Sequence, residues 1–421
     1  MTSQRTDAGR PEPPLRATPA VLGEALAAAA EQYGSHEAYV DGADRLTFAA
    51  WHRQADAVAG ELTARGVGSG DVVALMLPPS TDYAVCYAAV VRIGAVVTGL
   101  NTRLGARETS AILRRCRPAL VIRDEAAQLP EVPPEFAVLK RGELAAARRG
   151  GGRAMRTEAA PDDPAVIIWT SGTTGEPKGA WYDHRGLAAA VRTAGVMTAP
   201  FDRRLVATPF AHAGYMGKVW EQLAWGITLV VSPVPWKAAE MAALLEQERI
   251  TVAGGVPTQW AKLLEQPGVG PGSFPALRLG ISATAPASPE LRERVGELLG
   301  TPLVVRYAMT ESPSICGTEP ADPPDVQFHT VGRPQVGLQV TVLDDEGRAL
   351  PVGETGHIRV RGGCVMRGYW RDSERTEAAF DEAGRLRTGD VGRLTGGGGE
   401  SRPDRPLDRP LHPRRLQRPS A

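Results

Sequence analysis

Apolar and polar positions follow one another in blocks that switch period along the chain. From Val21, VLGEALAAAAEQYG repeats small apolar residues at helical spacing and stops at Gly34. DRLTFAAWHRQADAVAGELTARGV reads as a short strand and then an amphipathic helix closed by Gly66. DVVALMLPP is a buried strand, DYAVCYAAVVRIGAVVTGL a helix leading into another strand, and PALVIRD one more strand. A second run opens near Ala165. There AVIIWTSG is a strand followed by a Gly/Thr loop, and LVATPF, TLVVSPV, TVAGGVP, LRLGISAT and PLVVRYAMTE read as strand ends, with helices such as AAEMAALLEQER between them. Strands alternating with helices imply a largely parallel sheet covered on both faces.

After about Val331 the period changes. LQVTVLDDEGRALP, GETGHIRVRGG and GRLRTGDVGRL alternate β-branched residues with tight Gly turns, which predicts a small antiparallel β-subdomain. The expected fold is therefore α/β. A first α/β subdomain spans 21–164, a second spans 165–330, and a small antiparallel β-barrel-like subdomain spans 331–394, all within one large domain over 21–394. Residues 1–20 are polar and Pro-rich and read as a flexible leader without the apolar stretch of a signal peptide. From Thr395 the chain turns to Gly, Arg and Pro, and residues 395–421 are expected to be a disordered tail, because so little apolar surface cannot offset the entropy of folding. That tail carries six arginines (402, 405, 409, 414, 415, 418) against Glu400, Asp404 and Asp408, a net +3, which leaves the rest of the chain at about −3.

With 421 residues and 43% hydrophobic content the chain can bury several cores. Lys+Arg and Asp+Glu both total 48, a balance that gives no reason to expect nucleic acid or an anionic membrane as partner. The longest apolar stretch, 84–100, is broken by Arg92 and Gly94 and is too short for a transmembrane segment. Cys86, Cys116, Cys316 and Cys364 lie far apart with no CxxC pair, as expected for free thiols in a reducing compartment. The reading is of a soluble, cytoplasmic protein. The basic residues are mostly Arg; the lysines are Lys140, Lys178, Lys218, Lys237 and Lys262.

The strongest chemical signal is Thr170-Ser171-Gly172-Thr173-Thr174-Gly175-Glu176-Pro177-Lys178-Gly179. Glycines let backbone N–H groups turn towards an anion, Ser and Thr hydroxyls add donors, and Lys178 adds a mobile cation. This is the composition a triphosphate needs, although it is not a P-loop, since no Gly-Lys pair follows Gly172 at the required spacing. Glu311 follows an apolar strand, where ligands of open α/β sheets bind, and a carboxylate there suits Mg²⁺ held together with phosphate oxygens. Asp390, with two acceptor oxygens, suits a vicinal diol.

The ten-residue string is similar to the signature of the adenylate-forming superfamily, which comprises acyl-CoA synthetases, stand-alone adenylation domains and firefly-type luciferases. Further strings agree in order, and the resemblance covers roughly Val21 to Leu394. Tyr307-Ala308-Met309-Thr310-Glu311 resembles the aromatic-Gly-x-Thr-Glu motif, with Ala308 where Gly is usual. The resemblance gives Thr310 a contact to the α-phosphate and Glu311 the Mg²⁺. Thr388-Gly389-Asp390 resembles the motif whose Asp holds the ribose, Ser282-Ala283-Thr284 the strand end against adenine, and Pro209-Phe210-Ala211-His212 the segment in which His212 borders the acyl pocket. The implied reaction joins ATP and a carboxylic acid into an acyl-adenylate and pyrophosphate, after which coenzyme A, as co-substrate, displaces AMP. This is chemistry of fatty acid metabolism. His212, Tyr215, Met216, Val256 and Pro257 are expected to line a mostly uncharged pocket. In GYMGKVWEQLAWG only Glu221 offers an anchor for an α-amine, which argues against an amino-acid adenylation domain. His184 is expected at a helix start near the phosphate loop. Asn101, Arg103 and Glu108 are read as structural, and Trp181, Trp220, Trp225, Trp236 and Trp260 as core residues or contacts of a homodimer.

The chain departs from the family beyond Asp390. An apolar strand ending in a ribose-binding Arg and a hinge is expected there, followed by a C-terminal domain with a catalytic Lys. Here Gly, Arg and Pro follow, Asp404-Arg405 only superficially matches the hinge, and no Lys follows Lys262. The expectation is an acyl-CoA synthetase impaired by C-terminal truncation, with a non-catalytic nucleotide- or acyl-adenylate-binding remnant or a stand-alone adenylation domain as the alternative.

Overall fold

The protein is described by a computed structural model covering residues 12–16, 19–126, 128–150, 159–170, 176–283, 287–396 and 405–408. Three sheets organise these residues. The first runs, in spatial order, Gly368–Tyr369, Lys178–Asp183, Pro164–Thr170, Val96–Gly99, Val72–Met76, Leu120–Arg123 and Val138–Lys140. The second runs Arg333–Pro334, Ser312–Gly317, Leu303–Met309, Leu279–Ser282, Val252–Gly255, Arg203–Val206, Thr228–Val231, Glu37–Asp41 and Asp44–Thr47. Both have parallel interiors; the second has antiparallel strands at both edges, the first only at its Gly368–Tyr369 edge, since Val138–Lys140 joins the other edge in parallel. The third is the antiparallel set Leu338–Leu343, Gly356–Gly362 and Leu386–Gly392 that the alternating pattern predicts.

Local chemistry explains these elements. Val72–Met76 is buried along its whole length, as a strand between parallel neighbours must be. The 84–100 stretch resolves into the helix Thr81–Arg92, a left-handed turn at Gly94 (φ +72°) and the strand Val96–Gly99. Ser80 caps that helix by accepting from Tyr83 N. Arg92, near its end, is buried and ion-paired to Asp56 at 2.8 Å. No helix among the described residues is long and apolar enough to cross a membrane. The four cysteines are free and buried. Trp260, Trp220 and Trp225 are buried, while Trp181 is half-buried and meets Trp370 edge to face.

Two expectations about organisation are corrected. The sheets do not divide the chain near 165. Pro164–Asp183 completes the first sheet, because Val166 and Ile167 pair with Val97 and Thr98. The hairpin 37–47 crosses to the second sheet, where Tyr39 and Val40 pair with Leu229 and Val230. Nor is the whole of 395–421 without structure. Leu407 is fully buried and exchanges backbone bonds with Val331 and Gly332, and Asp408 pairs with Arg393 at 2.9 Å. Leu407 burial acts together with the backbone bonds of Thr395 N to Pro406 O and Asp408 N to Arg393 O to hold residues 405–408.

His184 opens the helix His184–Val191, as expected, but it stands at the far end of the strand that begins with Lys178 and so is not beside the phosphate loop. Its Nδ1 accepts from Leu22 N at 3.2 Å, and the ring is buried. Burial pushes its pKa from 6.5 down to about 4, against a weaker opposing pull from Asp163 and Asp183. The folded state therefore prefers the neutral ring. The associated stability is complete above pH 6.5 and is lost as pH falls towards 4, with a ceiling of about 3 kcal/mol. Denaturant titrations between these limits should show the loss, and His184→Asn, whose amide oxygen can take the Leu22 bond, should flatten it. An unchanged slope in the variant would assign the acid sensitivity elsewhere.

Candidate active site

The strand Lys178–Asp183 places Lys178, Ala180 and Tyr182 on one face, because side chains alternate along a strand. At one end of that face Lys178 Nζ lies 5.0 Å from the centroid of the Tyr369 ring. Tyr369 is held there by pairing with Ala180 and by the Trp370 N–H bond to Gly179 O at 2.7 Å. At the other end Tyr182 Oη donates to Thr310 O at 2.5 Å. Glu311 joins the two, since Tyr369 Oη donates to its Oε1 at 2.8 Å and Met366 N donates to its backbone carbonyl at 2.9 Å. Burial and the adjacent Glu311 carboxylate raise the pKa of Tyr369, which keeps this hydroxyl a donor at neutral pH.

Thr310 and Glu311 do not simply end a strand. They form the tip of a tight hairpin in which Met309 pairs with Ser312, and this tip projects them beyond the sheet. Glu311 is buried, and its Oε2 has no protein partner among the described residues. Lys178 likewise makes no ion pair among them. Ser282, at the end of Leu279–Ser282, has a buried Oγ without a partner among the described residues, and Ala283 N reaches Gly255 O at 3.4 Å. Ser171, Gly172, Thr173, Thr174, Gly175 and Thr284 lie outside the described residues.

Thr388-Gly389-Asp390 forms a bulge. The register between Gly356–Gly362 and Leu386–Gly392 slips there, and Gly389 takes φ +78°, which an L side chain rarely adopts. Thr388 Oγ1 donates to Ile358 O and accepts from Asp390 N. The bulge turns Asp390 to Tyr307, whose hydroxyl donates to Oδ2 at 2.7 Å. Tyr307 and Asp390, 83 residues apart, thus form one unit. Ala308 and Met309 continue the strand Leu303–Met309, and Thr170 closes Pro164–Thr170 opposite Lys178.

His212 is exposed and sits at the start of the short helix Ala213–Met216. Gly99 allows its approach to the first sheet: a Cβ there would lie 2.8 Å from Ala211 Cα and 2.2 Å from Tyr83 Oη. Asn101, two residues on, donates its amide to His212 Nε2 at 3.1 Å, which puts the ring proton on Nδ1. Although part of the ring is open to solvent, packing around the rest of it and nearby Arg103 lower the pKa of His212, which favours the neutral ring at pH 7. Reading Asn101 and Arg103 as purely structural misses both contacts. Two of the expected pocket residues are corrected as well. Tyr215 and Met216 are buried in the core, with Tyr215 stacked 3.7 Å from Phe210 and bonded to Tyr39 Oη, whereas Val256 and Pro257 stay partly open. Tyr369 and Tyr182 carry no signal in the sequence; only the sheet register brings them to the site.

The arrangement suits a magnesium nucleotide. Among the described residues, Lys178 has no ion pair, Glu311 has an open carboxylate oxygen, Ser282 has a hydroxyl without a partner and Asp390 has a second acceptor, and they stand at strand ends, a hairpin tip and a bulge. Mg²⁺ is commonly bound by one or two carboxylates together with phosphate oxygens, which Glu311 satisfies without further acidic ligands. The AMP-binding enzyme family matches residues 26–370. A propanoyl:CoA ligase for a 7a-methyl-1,5-dioxo-octahydro-indenyl acid from Rhodococcus jostii is 31% identical over 414 residues, covering 89% of this chain and 77% of its own length. The long-chain-fatty-acid–CoA ligase FadD13 of Mycobacterium tuberculosis is 30% identical, covering 85% and 73%. Among solved structures, the N-terminal domain of FACL13 from the same organism superposes with a TM-score of 0.83 at 27% identity, covering 92% of this chain and 98% of that one. The chain belongs to the AMP-binding enzyme family of adenylate-forming enzymes, as an acid–thiol ligase of the acyl-CoA synthetase type.

Proposed function

We propose that the protein joins a carboxylic acid to AMP at the expense of ATP and passes the acyl group to coenzyme A. The observation that carries this reading is the linked set Lys178, Tyr369, Glu311, Tyr182 and Thr310, in which an ammonium and a carboxylate oxygen, both without an ionic partner among the described residues, flank one tyrosine. In this reading the segment Thr170–Lys178 holds the β- and γ-phosphates, Ser282 to Thr284 border adenine, and Asp390, fixed by Tyr307, accepts from the ribose hydroxyls. Mg²⁺ bound by Glu311 would offset phosphate charge. Thr310 would donate to the α-phosphate as the acid's carboxylate attacks it. Neutral His212, oriented by Asn101, would border the acid and exclude water from it. The protein's contribution is orientation and fixed charge. The names of the related CoA ligases support coenzyme A as the acceptor.

The test is acid-dependent ATP–pyrophosphate exchange with a panel of carboxylic acids, followed by acyl-CoA formation when coenzyme A is added. No lysine follows Lys262, so the 421-residue polypeptide assayed alone is expected to turn over well below about 1 s⁻¹. One missing transition-state donor typically costs about 10²–10³ in rate. Nucleotide binding with no exchange for any acid would favour a non-catalytic binding protein.

A further inference from the structure

Lys140, Lys237 and Lys262 stand at the surface and Lys178 at the phosphate strand, but Lys218 turns inward. Its side chain is 15% exposed. It lies six residues past His212, where Gly217 brings the chain against Pro313: a Cβ on Gly217 would sit 3.4 Å from Pro313 Cγ. Lys218 Nζ is 3.4 Å from Ser314 Oγ, 3.4 Å from Thr193 Oγ1 and 3.3 Å from Glu221 Oε2. Ser314 is three residues beyond Glu311, about 10 Å along an extended strand. Cys364, whose Sγ lies 4.0 Å from Ser314 O, is two residues before Met366, which bonds Glu311. Lys218 thus marks the far end of a wall whose near end is the Thr310–Glu311 tip.

The charge around Lys218 does not balance. Glu221, 1% exposed, is shared by two cations, Arg204 Nη1 at 2.8 Å and Lys218. Asp202, two residues before Arg204, is taken by Arg278, and Arg204 Nε is buried with no partner among the described residues. Thr193 Oγ1 spends its proton on Ala190 O, but Ser314 Oγ receives Lys218 and has no acceptor for its own proton among the described residues. A surplus positive charge beside an unspent hydroxyl donor, away from bulk water, favours an anion, which would take the ammonium hydrogen now directed at Ser314 Oγ and accept the Ser314 proton as well.

Resting on the acyl-ligase reading above, we infer that the acid this protein activates carries a second carboxylate at its distal end, held by Lys218 and Ser314. The substrate class is then a dicarboxylic acid activated at one end, which replaces the uncharged pocket expected from the sequence.

The experiment is calorimetric titration of the AMP-loaded protein with linear monocarboxylates from butyrate to decanoate, the matching α,ω-dicarboxylates and the matching ω-hydroxy acids. At the best-fitting length the dicarboxylate should bind at least about tenfold tighter than both, as expected for a charged hydrogen bond. Lys218→Met should remove the preference while retaining MgATP binding, which shows that the variant is folded, and Lys218→Arg should retain much of it. Three outcomes overturn the inference: tighter binding of monocarboxylates at every length, parity of hydroxy acids with dicarboxylates, or a preference that survives in Lys218→Met. If MgATP binds and no acid of any kind does, the acyl-ligase reading itself fails and the inference falls with it.

Discussion

Replacing Lys178 by alanine is expected to weaken MgATP binding by about 10- to 100-fold while AMP binding changes by less than about threefold. The ammonium sits over the Tyr369 ring with no carboxylate of its own among the described residues, so its charge is free for a phosphate that ATP has and AMP lacks. A hydrogen bond to a charged group contributes roughly 1.5–3 kcal/mol, which sets that range. Glu311→Gln should behave alike, and its loss should disappear when Mg²⁺ is omitted, because the amide keeps the Tyr369 bond but gives up the metal-binding charge. Asp390→Ala should weaken ATP and AMP equally, since both carry the ribose. Calorimetry with both nucleotides separates these patterns. Equal losses for ATP and AMP in the Lys178 variant would remove that residue from the phosphate site.

Glu221→Ala is expected to destabilise the fold by about 3–5 kcal/mol, the usual consequence of stranding a buried charge. Here one carboxylate answers two cations and also accepts from Thr198 Oγ1 at 2.6 Å. Burial alone would raise its pKa, but Lys218, Arg204 and these hydrogen bonds outweigh it and hold the value at about 2. Glu221→Gln, which keeps an acceptor for Thr198 and Arg204, should lose less than the alanine variant. Denaturant unfolding gives the comparison. A loss below about 1 kcal/mol for alanine would mean that Arg204 and Lys218 find water or another partner. The same geometry bears on substrate choice, because a buried carboxylate whose charge already answers Arg204 and Lys218 has none left over for an α-ammonium group.

Much of the fold is legible in the sequence because it rests on short-range patterning. The strands Val72–Met76, Val96–Gly99 and Leu120–Arg123 and the helices Leu22–Tyr33 and Phe48–Ala64 lie where apolar spacing places them. Sheet membership is not legible, since nothing local in Glu37–Asp41 says that its neighbour is Thr228–Val231. Helix Ala106–Cys116 is not legible from apolar spacing either, since its charged sequence, ARETSAILRRC, buries only Thr109, Ile112, Leu113 and Cys116. At the site, Lys178, Glu311 and Asp390 are found through their strings, whereas Tyr369 and Asn101 enter through register and through the close approach at Gly99. Pocket lining is the least readable property. Tyr215 and Lys218 are neighbours in sequence, yet one packs into the core and the other takes the polar wall, and helix phase alone does not say which.

The crossing of the hairpin 37–47 into the second sheet sets a schedule for the nascent chain. Thr228 Oγ1 bonds Glu37 O across 191 residues, so the N-terminal hairpin has no sheet to join until its partner has been synthesised. At about 5–20 residues per second, that gap is roughly 10–40 s of translation. The first sheet waits as well, because Gly368–Tyr369 pairs with a strand made long before it. Until then Tyr39 and Val40, both buried in the finished protein, are exposed beside unpaired strand edges, and a chaperone that shields extended apolar segments has its natural client there.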